Sequence, residues 1–222
     1  MTFKLYIITD RRAAAPRTIE EIIEAALANL KPGEAAVQLR EKDPRPRELY
    51  ETALRLVKIV HRRGCLLVVN DRADVARAAG ADGVHLGRSS MPVEAARKAL
   101  PGGLIGVSTH SVADAEQAEK EGADFIVTGP VFATASKPGV TEPMGVAGLS
   151  GVCRAVRVPV YALGGMDSSN AAAVAGTGAA GVALIRGVMS APDPGRAAMQ
   201  IVQTVACGTG AGRRGTPAAR AK

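Results

Sequence analysis

The chain has 222 residues, of which 47% are apolar but only 3% aromatic, and it carries a formal charge of +7. That length suits one α/β domain and is cramped for two, and a core so short of aromatics must be filled by Val, Ile, Leu and Ala, as in a buried parallel sheet covered by helices. No apolar run approaches the roughly 18 residues of a membrane span, and the start, MTFKLYIITD, lacks the length and cleavage pattern of a signal peptide and reads as a strand.

Cys65, Cys153 and Cys207 are odd in number and widely spaced. They suit neither a disulfide framework nor a zinc site, so a reducing cytoplasm is expected. Four of the cations, Arg213, Arg214, Arg220 and Lys222, fall in the stretch 208–222, GTGAGRRGTPAARAK, which holds no acid. With almost no apolar residue larger than Ala, that tail is expected to be disordered, outside a folded domain spanning 1–207. A handful of basic charges attracts nucleic acid only weakly, so no nucleic-acid partner is expected.

Short apolar runs alternate with helical patterns along the whole body. LYIIT (5–9) is followed by a helix over 18–30, whose Ile19, Ile22, Ile23, Ala26, Leu27 and Leu30 recur at helical spacing and which Lys31-Pro32-Gly33 stops. A strand over 35–41 leads to a helix over 49–60. LLVVND (66–71) runs into a short helix over 73–79, and GVHLG (83–87) into a helix over 92–100 with Pro92 in its first turn. LIGVSTH (104–110) precedes a helix to Glu121, with Ser111 as N-cap and Asp114 in the first turn. FIVTGPV (125–131) enters a long loop rich in small, hydroxyl-bearing and Gly/Pro residues, after which a helix covers 146–156. VPVYALGG (158–165) precedes a helix over 168–176, and GVALIRG (181–187) a helix over 194–206. Eight strand–helix pairs with no gap for a second domain predict a single (β/α)8 TIM barrel. The rival, a doubly wound open sheet, should show a glycine-rich phosphate fingerprint after its first strand, and the chain reads ITDRRAAAP there.

On a barrel the chemistry gathers at the C-terminal ends of the strands. Gln38, Arg40 and Lys42 alternate along one predicted strand end and so share a face. Two cations and an amide there are costly unless they meet an anion, and the alternative, ion pairs to Glu41 or Asp43, is opposed by the alternation that turns those acids to the other face. Asn70-Asp71 brings a carboxylate to the same rim. It could cap the helix at Arg72, or hold Mg2+, which needs only one or two carboxylates when phosphate oxygens and water supply the rest. Gly164-Gly165 and Gly187 end the last two strands, where loops often bind phosphate through backbone N–H groups. Thr134, Ser136 and Lys137 in the long loop offer two hydroxyls and an ammonium to a phosphate-bearing ligand, the plain alternative being a solvated loop. His110 follows Ser108 and Thr109 at a strand end and reads equally as a base or a positioning group. His85 is expected in or beside the barrel, and His61 as a solvated cation at a helix end.

In order and spacing, VQLREKD, LLVVNDRADVARAAGADGVHLG, IGVSTHS, GADFIVTGPVFATASKPG, VPVYALGGM and GAAGVALI resemble the thiamine-phosphate synthase family. The resemblance runs from about residue 4 to 195. It implies a Mg2+-dependent transferase that condenses hydroxymethylpyrimidine diphosphate with thiazole phosphate, releasing diphosphate, and these small-molecule substrates are the expected partners. By this resemblance Gln38, Arg40, Lys42, Asn70, Ser108 and Lys137 hold the pyrimidine diphosphate, and Arg40, Lys42, Ser108 and Lys137 are the groups acting on it. Asp71 binds Mg2+, while Thr134, Ser136, Gly165 and the backbone of Ile185 and Arg186 hold the thiazole phosphate. One position departs from the pattern: Ser90, in GRSSMP, stands where the family usually has a second metal-binding aspartate, and offers at most a neutral ligand. A related thiazole tautomerase branch also lacks that acid, but it differs at the Arg-x-Lys and Asn-Asp patterns and carries histidine where this chain has Pro130. A non-catalytic barrel that binds thiamine precursors is the remaining alternative, and assembly into a homo-oligomer stays open.

Overall fold

The computed structural model describes residues 2–41, 43–134 and 142–209. Eight parallel strands close into a barrel in sequence order: β1 (Leu5–Ile8), β2 (Ala35–Leu39), β3 (Leu66–Asn70), β4 (Gly83–Leu86), β5 (Leu104–Thr109), β6 (Phe125–Thr128), β7 (Val160–Leu163) and β8 (Gly181–Leu184), the last pairing with β1. Around them lie α1 (Arg11–Ala14), α2 (Ile19–Leu27), α3 (Pro46–Arg62), α4 (Ala73–Ala79), α5 (Val93–Ala99), α6 (Val112–Lys120), α7 (Gly145–Ala155), α8 (Arg186–Met189) and α9 (Pro194–Thr209). The last helix extends two residues into the stretch expected as a tail, and residues 210–222 lie outside the described residues. Among the described residues no helix is long and apolar enough to cross a membrane.

Each strand is buried on both faces, so it carries two different cores. The outward residues Leu5, Ile7, Val37, Leu39, Leu67 and Val69 pack with Ile22, Ile23, Leu27 and Leu56 from the helices. The inward residues build a smaller cluster of Phe3, Tyr6, Phe125 and Tyr161. Phe3 stacks on Tyr161 with centroids 4.1 Å apart, and Phe125 meets Phe3, Tyr6 and Tyr161 edge-on at 80–89°, geometries worth about 0.5–1.5 kcal/mol per pair beyond area burial. Gly106 makes room for this cluster: a Cβ there would lie 2.2 Å from the Phe125 ring.

Above the aromatics the barrel interior is divided. Gln38, Asn70, His85 and Ser108 form a polar arc on four successive strands, β2 to β5, with Asn70 and His85 directly paired in register. The facing interior of β6, β8 and β1 is apolar, with Val127, Ala183 and Ile8.

At the N-terminal end of the barrel one turn is used repeatedly. Gly80-Ala81-Asp82 and Gly122-Ala123-Asp124 leave their helices through a left-handed glycine, φ +71° and +92°. Each aspartate then accepts the amide of the second residue of the preceding strand, Leu67 N–H and Ile105 N–H, both at 2.7 Å. Arg97 holds the second of these carboxylates at 2.6 Å. Gly178-Ala179-Ala180 repeats the backbone turn with φ +92° and no carboxylate.

In two places the element itself, and not only its bounds, departs from the sequence reading. The helix expected over 168–176 is only a 3-10 turn at Ala171–Val174. Asp167 accepts both the N–H and the hydroxyl of Ser169, and Asn170 accepts Asp167 N–H while donating to Gly165 carbonyl at 2.6 Å, so the Asp-Ser-Ser-Asn run spends its polar groups on local turns that compete with a helix. The short α1 is unforeseen in the sequence. Asp10 caps it by accepting Arg12 and Ala13 N–H.

The buried Ile105 amide makes Asp124 a stability residue. Asp124→Ala should lower unfolding free energy by about 1–3 kcal/mol, and Asp124→Asn, which keeps an acceptor, should recover part of it. Urea unfolding of the three proteins measures this.

Candidate active site

The C-terminal rim has two unlike halves. On the β6–β8 side lies a cavity of about 540 Å³, lined by His110, Pro130, Thr134, Gly164, Gly165, Asp167 and the Ile185–Gly187 backbone, among others. Its wall is set by the chain running on from β6, where Val131 and Phe132 donate to the carbonyls of Leu163 and Gly164 at 2.8 and 3.1 Å. The returning chain closes against it through Met144 N–H to Pro130 carbonyl, 2.9 Å. Gly165 sits at φ +61°, and a Cβ would lie 2.4 Å from Ala133 carbonyl oxygen, so only glycine allows this approach. Asn170 fixes the same peptide from the other side. Arg186 and Gly187 open α8, where no preceding turn supplies acceptors for their N–H groups. Backbone donors and the Thr134 hydroxyl therefore dominate this half, which suits a phosphate monoester. Thr134, Gly165, Ile185 and Arg186 are brought together here as expected, whereas Ser136 and Lys137 lie outside the described residues.

On the β2–β5 side the groups are side chains. Gln38 is 1% exposed, and its amide donates to the Tyr6 hydroxyl at 3.2 Å, so it reaches down from the rim into the barrel. Arg40 follows the end of β2, and Lys42 lies outside the described residues. Glu41 and Asp43 leave Arg40 alone: Glu41 meets Thr9 and Arg11, and Asp43 meets Arg12 at 2.7 Å. Among the described residues the Arg40 guanidinium has no ion-pair partner, leaving its charge available to a ligand.

Asp71 does not cap the helix after it: the N-cap of α4 is Arg72, and no side chain caps the helix. Instead Asp71 takes a left-handed backbone, φ 60°, in a region that costs a non-glycine residue about 1 kcal/mol or more. Its amide is held by the His85 carbonyl at 2.9 Å. Its carboxylate accepts from Asn70 Nδ2 at 2.7 Å and from the Ser90 hydroxyl, which also accepts Gly87 N–H at 2.6 Å. Ser90 thus touches the carboxylate that follows β3 at the rim. Among the described residues no cluster of three His, Cys, Asp or Glu could hold a metal by itself. The Asp71–Ser90 pair fits only an ion that draws most of its oxygens from substrate and water, which is the habit of Mg2+.

His85 and Ser108 complete the arc, with Nε2 and Oγ 2.8 Å apart. Sequence spacing does not reveal this pair, because the two residues lie on different strands and meet only through the register of β4 and β5. Thr9 and Glu41 are a second unforeseen pair. Thr9 is wholly buried, its Oγ accepting Arg40 N–H at 2.9 Å and donating to Glu41 at 2.8 Å.

Burial pushes the His85 imidazole down to about 4, the Asp71 carboxylate opposing and the Arg40 charge reinforcing that shift. As pH falls, the unfolded chain takes up this proton first, near the ordinary value of about 6.5. His85 therefore contributes stability that is complete above that value and lost as pH falls through about 4, by roughly 3 kcal/mol in all. Urea unfolding from about pH 7 to about pH 4 should show a steeper loss for the wild type than for His85→Gln; parallel curves would mean that the histidine is not held neutral.

The sequence model of the thiamine monophosphate synthase family matches residues 5–188. A thiamine-phosphate synthase of Chloroflexus aurantiacus is 42% identical over 199 residues, 90% of this chain and 91% of that protein. One of Clostridium novyi is 40% identical over 194 residues, 87% of this chain and 94% of its own. Among solved structures, a thiamine phosphate pyrophosphorylase from Pyrococcus furiosus is 38% identical and matches with a TM-score of 0.84, covering 93% of this chain and 97% of that one. Agreement in fold, in length and in the order of the strand-end motifs has one explanation: the chain belongs to the thiamine monophosphate synthase family.

Proposed function

We propose that this chain carries out thiamine-phosphate synthesis with the two halves of its rim divided between the two substrates. The pyrimidine diphosphate lies on the Arg40–Ser108 side, and the thiazole phosphate on the Gly165–Arg186 side. The observation that carries this reading is the split itself: side-chain charge and polar groups on β2–β5, backbone donors around a cavity of about 540 Å³ on β6–β8. A single-phosphate substrate would leave one half without a ligand.

The reaction breaks the bond between the pyrimidine methylene and the diphosphate oxygen, whose electron pair departs with the diphosphate. The thiazole nitrogen supplies the pair for the new C–N bond and becomes quaternary, so no proton moves and no protein nucleophile is needed. The chain's task is to stabilise the leaving charge and align the partners. Arg40, with Lys42 and Lys137 as the family resemblance implies, takes the diphosphate. Asn70 and Ser108 offer neutral donors beside it, and Gln38 reads the pyrimidine from below. Thr134, Ser136, Gly165 and the Ile185-Arg186 backbone hold the thiazole phosphate. Mg2+ held by Asp71, with Ser90 as a neutral neighbour, would neutralise charge on the departing diphosphate.

Incubating the purified protein with both precursors and Mg2+ should yield thiamine phosphate and diphosphate in equal amounts. Diphosphate without thiamine phosphate, or no turnover, overturns the assignment.

The Mg2+ role has its own test at Ser90. With one carboxylate instead of two, half-maximal rate should require more Mg2+. Because Ser90 already touches Asp71, Ser90→Asp should bring a second charge to the ion and lower that requirement severalfold. A titration of initial rate against Mg2+ in the two proteins decides it, and an unchanged requirement would take Ser90 away from the metal.

A further inference from the structure

We infer that Thr9 and Glu41 form a clamp that fixes how the chain leaves β2 and thereby aims Arg40; they are positioning residues for the diphosphate half of the site. The inference rests on the reading of Arg40 as a diphosphate ligand. Thr9 follows β1 directly, and its own amide donates to Gln38 carbonyl at 2.9 Å. Two residues further on, just past the end of β2, Arg40 N–H donates to Thr9 Oγ at 2.9 Å. That hydroxyl has a single proton, and it goes to Glu41 Oε1 at 2.8 Å. The second carboxylate oxygen accepts Arg11 N–H at 3.2 Å, with the Arg11 guanidinium 3.8 Å away. Three positions at and just past the end of β2, namely 38, 40 and 41, are thus tied to the residue after β1 and to the start of α1.

The arrangement has a second consequence. Glu41 lies between two residues assigned to an anion, and a carboxylate facing the rim would repel the diphosphate. Here its side chain is 7% exposed and turned towards β1. An acid so buried is costly unless its oxygens are hydrogen-bonded, and burial does push the Glu41 carboxyl up from its ordinary value. A carboxylate is an obligate acceptor, so it orients the Thr9 hydroxyl with its lone pairs towards Arg40 N–H. A fold that needed only a filled space at this seam would be served by Val at position 9, without burying an acid.

Thr9→Val keeps the volume and removes the hydroxyl, while Thr9→Ser keeps the hydroxyl. Initial rates against each substrate, with the other saturating, are measured for the wild type, both variants, Arg40→Ala and the double variant Thr9→Val/Arg40→Ala. Thr9→Val should raise KM for the pyrimidine diphosphate about tenfold, the scale of one lost hydrogen bond, leave KM for the thiazole phosphate unchanged, and be rescued by Thr9→Ser. In the Arg40→Ala background Thr9→Val should change nothing further, since residues acting through one another are non-additive. A wild-type KM in Thr9→Val beside a defective Arg40→Ala overturns the clamp alone, as does a full Thr9→Val defect on top of Arg40→Ala. A wild-type KM in Arg40→Ala sinks the assignment of Arg40 and the clamp with it. If Thr9→Val does not fold, Glu41→Gln reads the same link: its amide opposes Arg11 N–H, and an unchanged KM for the pyrimidine diphosphate counts against the clamp.

Discussion

A closed eight-stranded barrel must fill its own interior, and the way this chain does so sets where its chemistry can lie. Only three Phe and three Tyr are available, and four of these six meet inside the barrel as one interlocked group. Phe3 enters from before β1, and its amide donates to the Tyr161 hydroxyl at 3.2 Å, which ties the N-terminal entry to β7. This plug uses the large side chains low in the barrel. The positions above it are left to smaller and polar groups, and these open to the C-terminal rim.

The polar groups are not spread evenly. Gln38, Asn70, His85 and Ser108 belong to neighbouring strands, so they form a continuous arc that can share hydrogen bonds, as His85 and Ser108 do. Opposite them, apolar interior residues meet the base of the cavity, whose lining includes backbone groups and the glycines Gly164, Gly165 and Gly187. A fixed charge can follow a flexible or metal-bridged diphosphate, whereas a rigid nest of amides fits one phosphate in one place. The two halves of the rim differ in the kind of discrimination they make.

Much of this was legible in the sequence, for identifiable reasons. The strand runs are β-branched and short, the helices have clear periods, and α4 keeps its expected bounds of Ala73–Ala79. Residues at strand ends could be gathered on one rim because a barrel puts all such ends together. Three kinds of feature were not legible. Contacts that depend on register between strands, such as His85 with Ser108 or Thr9 with Arg40 and Glu41, leave no short-range signature. The competition that reduces 168–176 to a 3-10 turn depends on which backbone groups Asp167 and Asn170 find. The alternating face assumed for Gln38, Arg40 and Lys42 extended a strand that stops at Leu39; Thr9 and Glu41 hold the continuation in place.

The chemistry and the electrostatics of the rim agree on one further point. Condensation of the two half-molecules moves an electron pair but no proton, so it needs no group poised to titrate near neutral pH. The histidine buried in the arc is pushed well below that range and paired with a serine hydroxyl, the pull of the Asp71 carboxylate being outweighed by burial. Of the carboxylates beside the arc, Glu41 is locked away under β1, while Asp71 meets Asn70 and Ser90 at the rim. A site for acid–base work would put titrating groups forward; in the β2–β5 arc the histidine is withdrawn, its charged neighbours are Asp71 and Arg40, and such fixed charges suit the stabilisation of a departing anion.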